Sequence, residues 1–443
     1  MKVPVRKSMI RSVTGGLLVV GVFGFGGAFV LPSEAVEVFI DVTRGEVKRI
    51  PIAVFTFKNA LSFNGYSPTE VLKADLRRSL LFDVADLGQL GIKAEVNSRP
   101  SDEAIRKAGM AGLVAQVWGS VMPRGQDALM DGTLYDFARG EVVGGKRYAG
   151  PPELVRTMIH RLADELVFQY TGEQGIARSW IAYVSEKDGA KELFIMDYDG
   201  YHPRQVTFDA SLNLAPSWSP DKRRLAFTSY GDGGDPTIEE LDLMTGRRRT
   251  LVAFPGLNIT PDWAPGGEEL AFATTKDGNA EIYKMDKDGK RFERLTDHRA
   301  ADLAPTWSPT GREIAFTSDR GGSPQIYVMG ADGTNVRRLT FEGGYNTAGA
   351  WSPKGNWIAY VCRDDRAWLK ICLISPDGQQ WKRLTTGNGH DESPAWAADG
   401  RHVAFSSTRN GKRNIYIVNT DGTDLERLTG NGTFNDDPAW SAP

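Results

Sequence analysis

The chain has 443 residues, of which 41% are hydrophobic, 25% charged and 10% aromatic. That length is too great for one ordinary core and that balance excludes a disordered chain, so at least two globular domains are expected. The formal charge of −3 gives no electrostatic footprint for nucleic acid or for an anionic membrane surface as main partner.

Residues 1–35 read as a secretory signal peptide: Lys2, Arg6, Lys7 and Arg11 form a basic start, and an uncharged stretch from Ser12 to Ser33 follows. Ser33-Glu34-Ala35 places small residues at the −3 and −1 positions of a cleavage site, so cleavage is expected between Ala35 and Val36. An uncleaved anchor is the alternative, since the run approaches the roughly 20 residues that span a bilayer. Its many glycines dilute its hydrophobicity, and no integral membrane span is expected after cleavage. The mature chain keeps 49 basic against 55 acidic side chains.

Residues 36–172 read as a small α/β domain. Val36 to Val42 and residues 50–57 alternate as strands, and residues 69–82 fit a helix with Leu72, Leu76 and Leu80 on one face. Ser101 can cap a short helix ending near Gly109. Strands are expected over 113–121, 129–137 and 141–148. A longer helix opens at Pro151-Pro152, with Leu154, Met158, Leu162 and Leu166 in one stripe. The polar run 171–179 reads as a hinge.

From there on a repeat dominates. Trp218, Trp263, Trp307, Trp351, Trp396 and Trp440 recur every 44 or 45 residues, and five of them have proline two residues earlier. Each is followed by a turn such as Ser308-Pro309-Thr310-Gly311, whose proline and glycine suit type I geometry. An alternating strand comes next (181–185, 225–229, 270–274, 314–318, 358–362 and 403–407), then a third strand. Asp-Gly pairs at 199, 288, 332, 377 and 421 turn most copies into a fourth. Four short antiparallel strands per unit make a propeller blade. Residues 180–208 lack a tryptophan strand and 435–441 are a tryptophan strand with nothing after it, so the two ends complement each other. The expected fold is an α/β domain followed, over 173–443, by an all-β six-bladed propeller closed by the C-terminal strand. The tryptophans themselves read as filling between sheets.

Cys362 and Cys372 fall on adjacent strands of one hairpin and can form a disulfide in an exported protein; two buried thiols or a redox pair are the alternatives. No histidine pair has metal-ligand spacing, and no nucleophile elbow or phosphate-binding glycine loop occurs. Asp364-Asp365 and Asp436-Asp437 read as turn carboxylates. What remains is a recognition surface or plain loop solvation, in the loops that lead into each tryptophan strand. They carry Asn213, Asn258, Asp302, Asn346, Asp391, Glu392, Asn435 and Asp436, and in a propeller they surround the mouth of the central channel.

The run Thr171-Gly-Glu-Gln-Gly-Ile-Ala-Arg-Ser-Trp-Ile-Ala-Tyr-Val184, then Met196-Asp-Tyr-Asp-Gly-Tyr201 and Ala215-Pro-Ser-Trp-Ser-Pro-Asp221, resembles the TolB family of the Tol-Pal cell-envelope system, as does Pro51-Ile-Ala-Val-Phe-Thr-Phe57. The resemblance covers nearly the whole mature chain. It implies a periplasmic, non-catalytic, monomeric scaffold without cofactors that supports outer-membrane integrity and division. It implies binding of the peptidoglycan-associated lipoprotein Pal at the mouth, through Leu257, Asn258, Asp302 and Leu303 by motif and, around the same rim, Asn213, Asn346, His390, Asp391, Glu392, Asn435 and Asp436. It implies binding of TolA through the mature N-terminus: Val36, Glu37, Val38, Phe39, Ile40, Asp41, Val42 and Thr43. Lys222 departs from the repeat, standing where the turn would have glycine. The alternatives left open are a propeller lyase or hydrolase, and a small-ligand or Ca²⁺-binding propeller.

Overall fold

Ile50–Val54 (β1) sends Ile52 and Val54 to one face and Ala53 to the other, all fully buried, as a central strand covered on both sides should. The computed structural model describes residues 49–63, 65–92, 99–231, 234–430 and 432–443. The signal peptide, the Ala35–Val36 junction and the segment 36–43 lie outside the described residues. After β1 come β2 (Lys58–Asn59), α1 (Pro68–Arg78), β3 (Phe82–Val84), α2 (Asp102–Met110), β4 (Ala115–Arg124), β5 (Asp127–Asp136), β6 (Glu141–Gly150) and α3 (Val155–Thr171). The sheet runs β3-β1-β4-β5-β6, with β2 on β4; β1 is parallel to β3 and β4, and the β4-β5-β6 meander is antiparallel. Leu72 and Leu76 of α1 and Ile159, Leu162 and Leu166 of α3 pack over Ile52 and Val54. Ala104 and Ala108 of α2, whose first turn is capped by Ser101, cover the opposite face with Phe55 and Trp118.

The first helix is shorter than its leucine spacing predicts. It stops at Arg78, and Leu80 sits at φ 63°, because Phe82 pairs with Ile50 as the start of β3. Sheet pairing outweighs the one extra helical turn.

Beyond α3 the chain builds antiparallel units around a propeller. Trp180–Lys187 (β7), Ala190–Asp197 (β8) and Arg204–Gln205 (β9) take their inner strand from the C-terminus: Asn435–Trp440 pairs with β7, Trp440 opposite Ile181. The next unit begins with Leu212–Trp218 (β10) and ends at Val252. A single parallel bridge, Leu212 to Lys191, joins these two units into one eight-stranded sheet. Four further four-stranded sheets follow, starting at Asn258, Asp302, Asn346 and Asp391. In the sheets that start at Asp302, Asn346 and Asp391 the second and third strands are nearly wholly buried, as strands stacked between neighbouring sheets should be, whereas β7 and β8 of the first unit are buried along only part of their length.

At the turn after each tryptophan, Gly267, Gly311, Gly355 and Gly400 take φ of 66–74°, where a side chain is disfavoured. Lys222 adopts φ 49° at the corresponding place. Its ammonium lies 4.9 Å from the centre of the Trp180 ring and donates to the Arg178 carbonyl, which compensates part of the strain.

The expected hinge is fastened at both ends. Gly172 closes α3 at φ 71°, and a Cβ on Gly175 would lie 2.2 Å from Asp164 Oδ1. That carboxylate accepts the Ala177 amide and pairs with Arg178, while Glu173 reaches across to Arg401 and Lys354. Beside it Asp75 accepts the Tyr198 hydroxyl at 2.6 Å and His160 Nδ1 at 2.8 Å, with Arg156 on Asp199 and Arg78 on Glu426. One hydrophobic core runs from Leu72 and Ile159 through Ile176 to Ile417 and Trp440. The polar sequence 171–179 signals surface linkage only when its buried partners are unknown.

Candidate functional site

The inner strands position the mouth. Each ends in tryptophan and has Asn or Asp five residues before it, so six residues can be compared place by place: 213–218, 258–263, 302–307, 346–351, 391–396 and 435–440. The first place holds Asn213, Asn258, Asp302, Asn346, Asp391 and Asn435, and all six are buried. Asn213 donates to Glu192 and Asp209, Asn258 to the Pro236 and Phe254 carbonyls, and Asn346 to Gln325 and the Glu342 carbonyl; Asn435 binds Thr433 and Asn414. Asp302 pairs with Arg320, and Asp391 with Lys370 and Arg409. Glu192, Pro236, Gln325, Lys370 and Asn414 come from the preceding unit and hold the loop to it, whereas Arg320 and Arg409 come from the same unit as the carboxylate they pair with. They face no solvent, so none of the six can touch a partner directly, contrary to the expectation from sequence. A buried amide or carboxylate needs its partners inside the protein, and the fold supplies them.

Other expected mouth residues are reachable. Leu257 is 40% exposed. Leu303, Glu392 and Asp436 occupy the second place of their strands and are partly exposed, as are Leu214, Ile259 and Thr347, which sequence reading passed over. This ring is divided: Leu214, Ile259 and Leu303 form an apolar arc, whereas Glu392 and Asp436 form an acidic one bridged by Arg413. His390 is committed elsewhere. Its ring packs edge-on against Trp368, centroids 4.8 Å apart, and Nδ1 accepts the Leu369 amide.

The third place, Ala215, Thr260, Ala304, Ala348, Ser393 and Asp437, has φ of 45–52° in all six strands, and the strand register shifts there. This is a repeated β-bulge, which turns the strand at the rim. Its exposed amides are captured by side chains: Thr260 by Thr228, Ala348 by Thr317 and Ala215 by Asp437.

The fifth place separates two halves of the channel. Ser217, Asp262 and Thr306 each accept the amide of the next unit's tryptophan. The other three strands have Ala350, Ala395 and Ala439 there. In that half two indole N–H groups bond to those alanines, Trp218 donating to the Ala439 carbonyl and Trp396 to the Ala350 carbonyl, while that of Trp440 goes to Ser179. Places three to six enclose a cavity of about 490 Å³. Two carboxylates line it. Burial pushes Asp262 up to about 7 against the hydrogen bonds from Trp307 and Ser217, and burial with the neighbouring Asp436 charge pushes Asp437 up to about 6.

Away from the mouth, Cys362 and Cys372 are joined with Cα atoms 5.9 Å apart. They are diagonal rather than opposite, since Cys362 faces Lys370 and Cys372 faces Tyr360. Asp75, His160 and Asp199 are near enough to share a cation, yet each has a protein partner already in Tyr198, Asp75 or Arg156.

Residues 168–443 match the family model of the TolB beta propeller domain and residues 38–143 that of the TolB amino-terminal domain. The chain is 36% identical over 268 residues to the Tol-Pal system protein TolB of Desulfosudis oleivorans, covering 58% of this chain and 60% of that one. It is 33% identical over 239 residues to that of Polaromonas naphthalenivorans, covering 52% of each. The chain thus spans little more than half the length of these curated relatives. The crystal structure of TolB from Acinetobacter baumannii superposes with a TM-score of 0.75 at 28% identity, over 89% of this chain and 97% of that chain. The chain belongs to the TolB family of Tol-Pal system proteins.

Proposed function

We propose that this chain is a non-catalytic periplasmic scaffold that holds a Pal-type lipoprotein at the propeller mouth and a TolA-type domain through residues 36–43, and so supports envelope integrity during division. In this reading residues 1–35 are removed on export, 36–172 form the first domain and 173–443 the propeller. The eight-stranded sheet counts as two blades because one bridge alone joins its halves, which gives six. The protein acts as a monomer.

The observation that carries the reading is the second-place ring, apolar on one arc and acidic on the other, presented by strands whose own ends are pinned from within. Rigid strands with varied, partly exposed side chains at one rim suit recognition of a folded partner. A channel enzyme is less well supported, since among the described residues the cavity is lined by no histidine, cysteine or lysine and its two carboxylates stand on different strands.

The test uses the mature chain and the soluble domain of a Pal-type lipoprotein from the same cell. Leu303→Asp and Glu392→Lys should each weaken binding at least tenfold while leaving the melting temperature within a few degrees. Deleting residues 36–43 should leave that binding intact and abolish capture of a TolA-type C-terminal domain. Unchanged affinity in both point variants would refute the mouth as the site, and TolA-type capture surviving the deletion would refute the segment.

A further inference from the structure

A negative charge at Asp262 is surplus to the fold. On either side of it, Ser217 and Thr306 hold the next tryptophan's amide with a neutral hydroxyl, and three further strands manage with alanine. A carboxylate at this place carries a desolvation penalty that a hydroxyl avoids. Its contacts, the Ser217 hydroxyl at 3.2 Å, the Trp307 amide at 2.9 Å and the Thr306 hydroxyl, are neutral, and no charged group is among those that shift it. The wall it shares includes the Thr260 hydroxyl oxygen, buried without a hydrogen-bond partner.

The acidic groups form a descending series. Glu392 and Asp436 stand at the second place, Asp437 at the third and Asp262 at the fifth, roughly 10 Å along a strand from the second. Arg413 bridges the upper two, and Asp437 is held by the Ser393 hydroxyl and the Ala215 amide. Between these levels the wall is built of small groups such as Ala304, Pro305, Ala348 and Gly349. Walls of that kind suit the methylene stem of a long cationic side chain, with the charge at its tip. They do not suit a metal ion: Asp262 and Asp437 belong to no group of three ligands among the described residues.

We propose that the channel receives a lysine or arginine side chain from the protein that docks at the mouth, and that Asp262 is the counter-ion at its end. The inference rests on the mouth reading and adds the chemistry of the inserted group. Insertion makes Asp262 ionise, so binding near neutrality releases a proton and strengthens as pH rises from 6 to 8.

Two measurements test it. Agmatine, a guanidinium on a four-carbon chain, is titrated into the protein while the Trp307 backbone amide resonance is followed. The resonance should shift in the wild type and stay fixed in Asp262→Ser, a variant that copies Ser217 and should fold; Asp262→Asn serves if it does not. Calorimetry with the Pal-type domain, in two buffers of different ionisation enthalpy, should show proton release in the wild type and about tenfold weaker binding without release in the variant. A Trp307 amide that ignores agmatine, or moves only with Ca²⁺, overturns the inference. Unchanged affinity and proton release in the variant overturn it as well. If the Pal-type domain binds neither form while agmatine still shifts the amide, the mouth reading fails and the cation site stands.

Discussion

Two seams of the propeller place charge in the same buried position and resolve it in opposite ways. At the seam before Asp391, the facing third strand supplies Lys370, and both side chains are fully buried; Lys370 donates to Asp391 and to the Gly389 carbonyl, and Arg409 adds a two-pronged contact. At the seam before Asp302, the facing residue is Glu281, so two carboxylates share the site. There Thr296 donates to Glu281, Arg294 pairs with Glu281 and Arg320 with Asp302, but Asp302 Oδ1 finds no hydrogen bond. Burial, with the Glu281 charge adding to it, raises the Asp302 carboxyl above the usual carboxylate range. Other seams avoid the conflict by pairing Glu192 with Asn213 or Gln325 with Asn346. The repeat therefore specifies a polar contact between neighbouring units, not the charge that makes it. Where both partners are acidic, arginines from the same two units have to make up the balance.

The contrast can be broken most severely at Asp391. Asp391→Ala leaves Lys370 buried without its counter-charge and should cost about 3–5 kcal/mol, read from urea unfolding. A loss below 1 kcal/mol would mean the seam relaxes and admits water. Opening the neighbouring Cys362–Cys372 bond, which staples the strand that carries Lys370, should cost about 2–3 kcal/mol for a loop of 10 residues; the double serine variant and the reduced protein should melt alike. His160 offers a pair whose charge is set by pH. Burial lowers its pKa, but Asp75 outweighs burial and the net direction is upward. Its stabilisation is thus complete below the unfolded value near 6.5 and fades as pH rises through the folded one. His160→Gln should then cost about 1–2 kcal/mol at pH 5.5 and less at pH 8.5; an equal cost at both would show the imidazole stays neutral. The smallest effect is expected at Asp302. Because its folded pKa is raised, wild-type stability falls as pH climbs through the window above the ordinary Asp value. Asp302→Asn should lie within about 1 kcal/mol of the wild type and gain on it between pH 4.5 and 7.5. A difference that does not change with pH would remove the like-charge account of that seam.

Tryptophan spacing made the inner strands and their units legible from sequence, because a repeat with proline at a fixed offset leaves few registers open. The α/β domain was legible in outline, but not the end of α1 or the strand β3 after it, where a pairing with Ile50 across 32 residues decides, nor the place of Leu154, which precedes α3 and is exposed rather than part of its buried stripe. The rim was legible as a place, but not which of its residues are buried. Asn213 or Asp391 in a polar loop looks the same whether it meets water or a buried partner. A signal existed: Asp302 and Asp391 each have arginine 18 residues on, Arg320 and Arg409, whereas Asn258 has Lys276 and Asn346 has Asp364. Covariation of that kind inside one chain marks an internal ion pair. Asp262 was likewise visible as the one carboxylate among Ser, Thr and Ala at the fifth place, but its meaning depended on knowing that the fifth place lines a cavity.

The pairing of Asn435–Trp440 with β7 has a kinetic consequence. Trp440 Nε1 donates to Ser179 Oγ across 261 positions of sequence, and the Trp180 amide to Ser441 Oγ across the same distance. Until those last residues are available, the first unit has an unsatisfied row of backbone groups where its inner strand belongs. Closing so long a loop is entropically costly and comes late. The first propeller unit to be synthesised is thus the last to be completed, and any binding activity that needs an intact rim is withheld from every shorter chain.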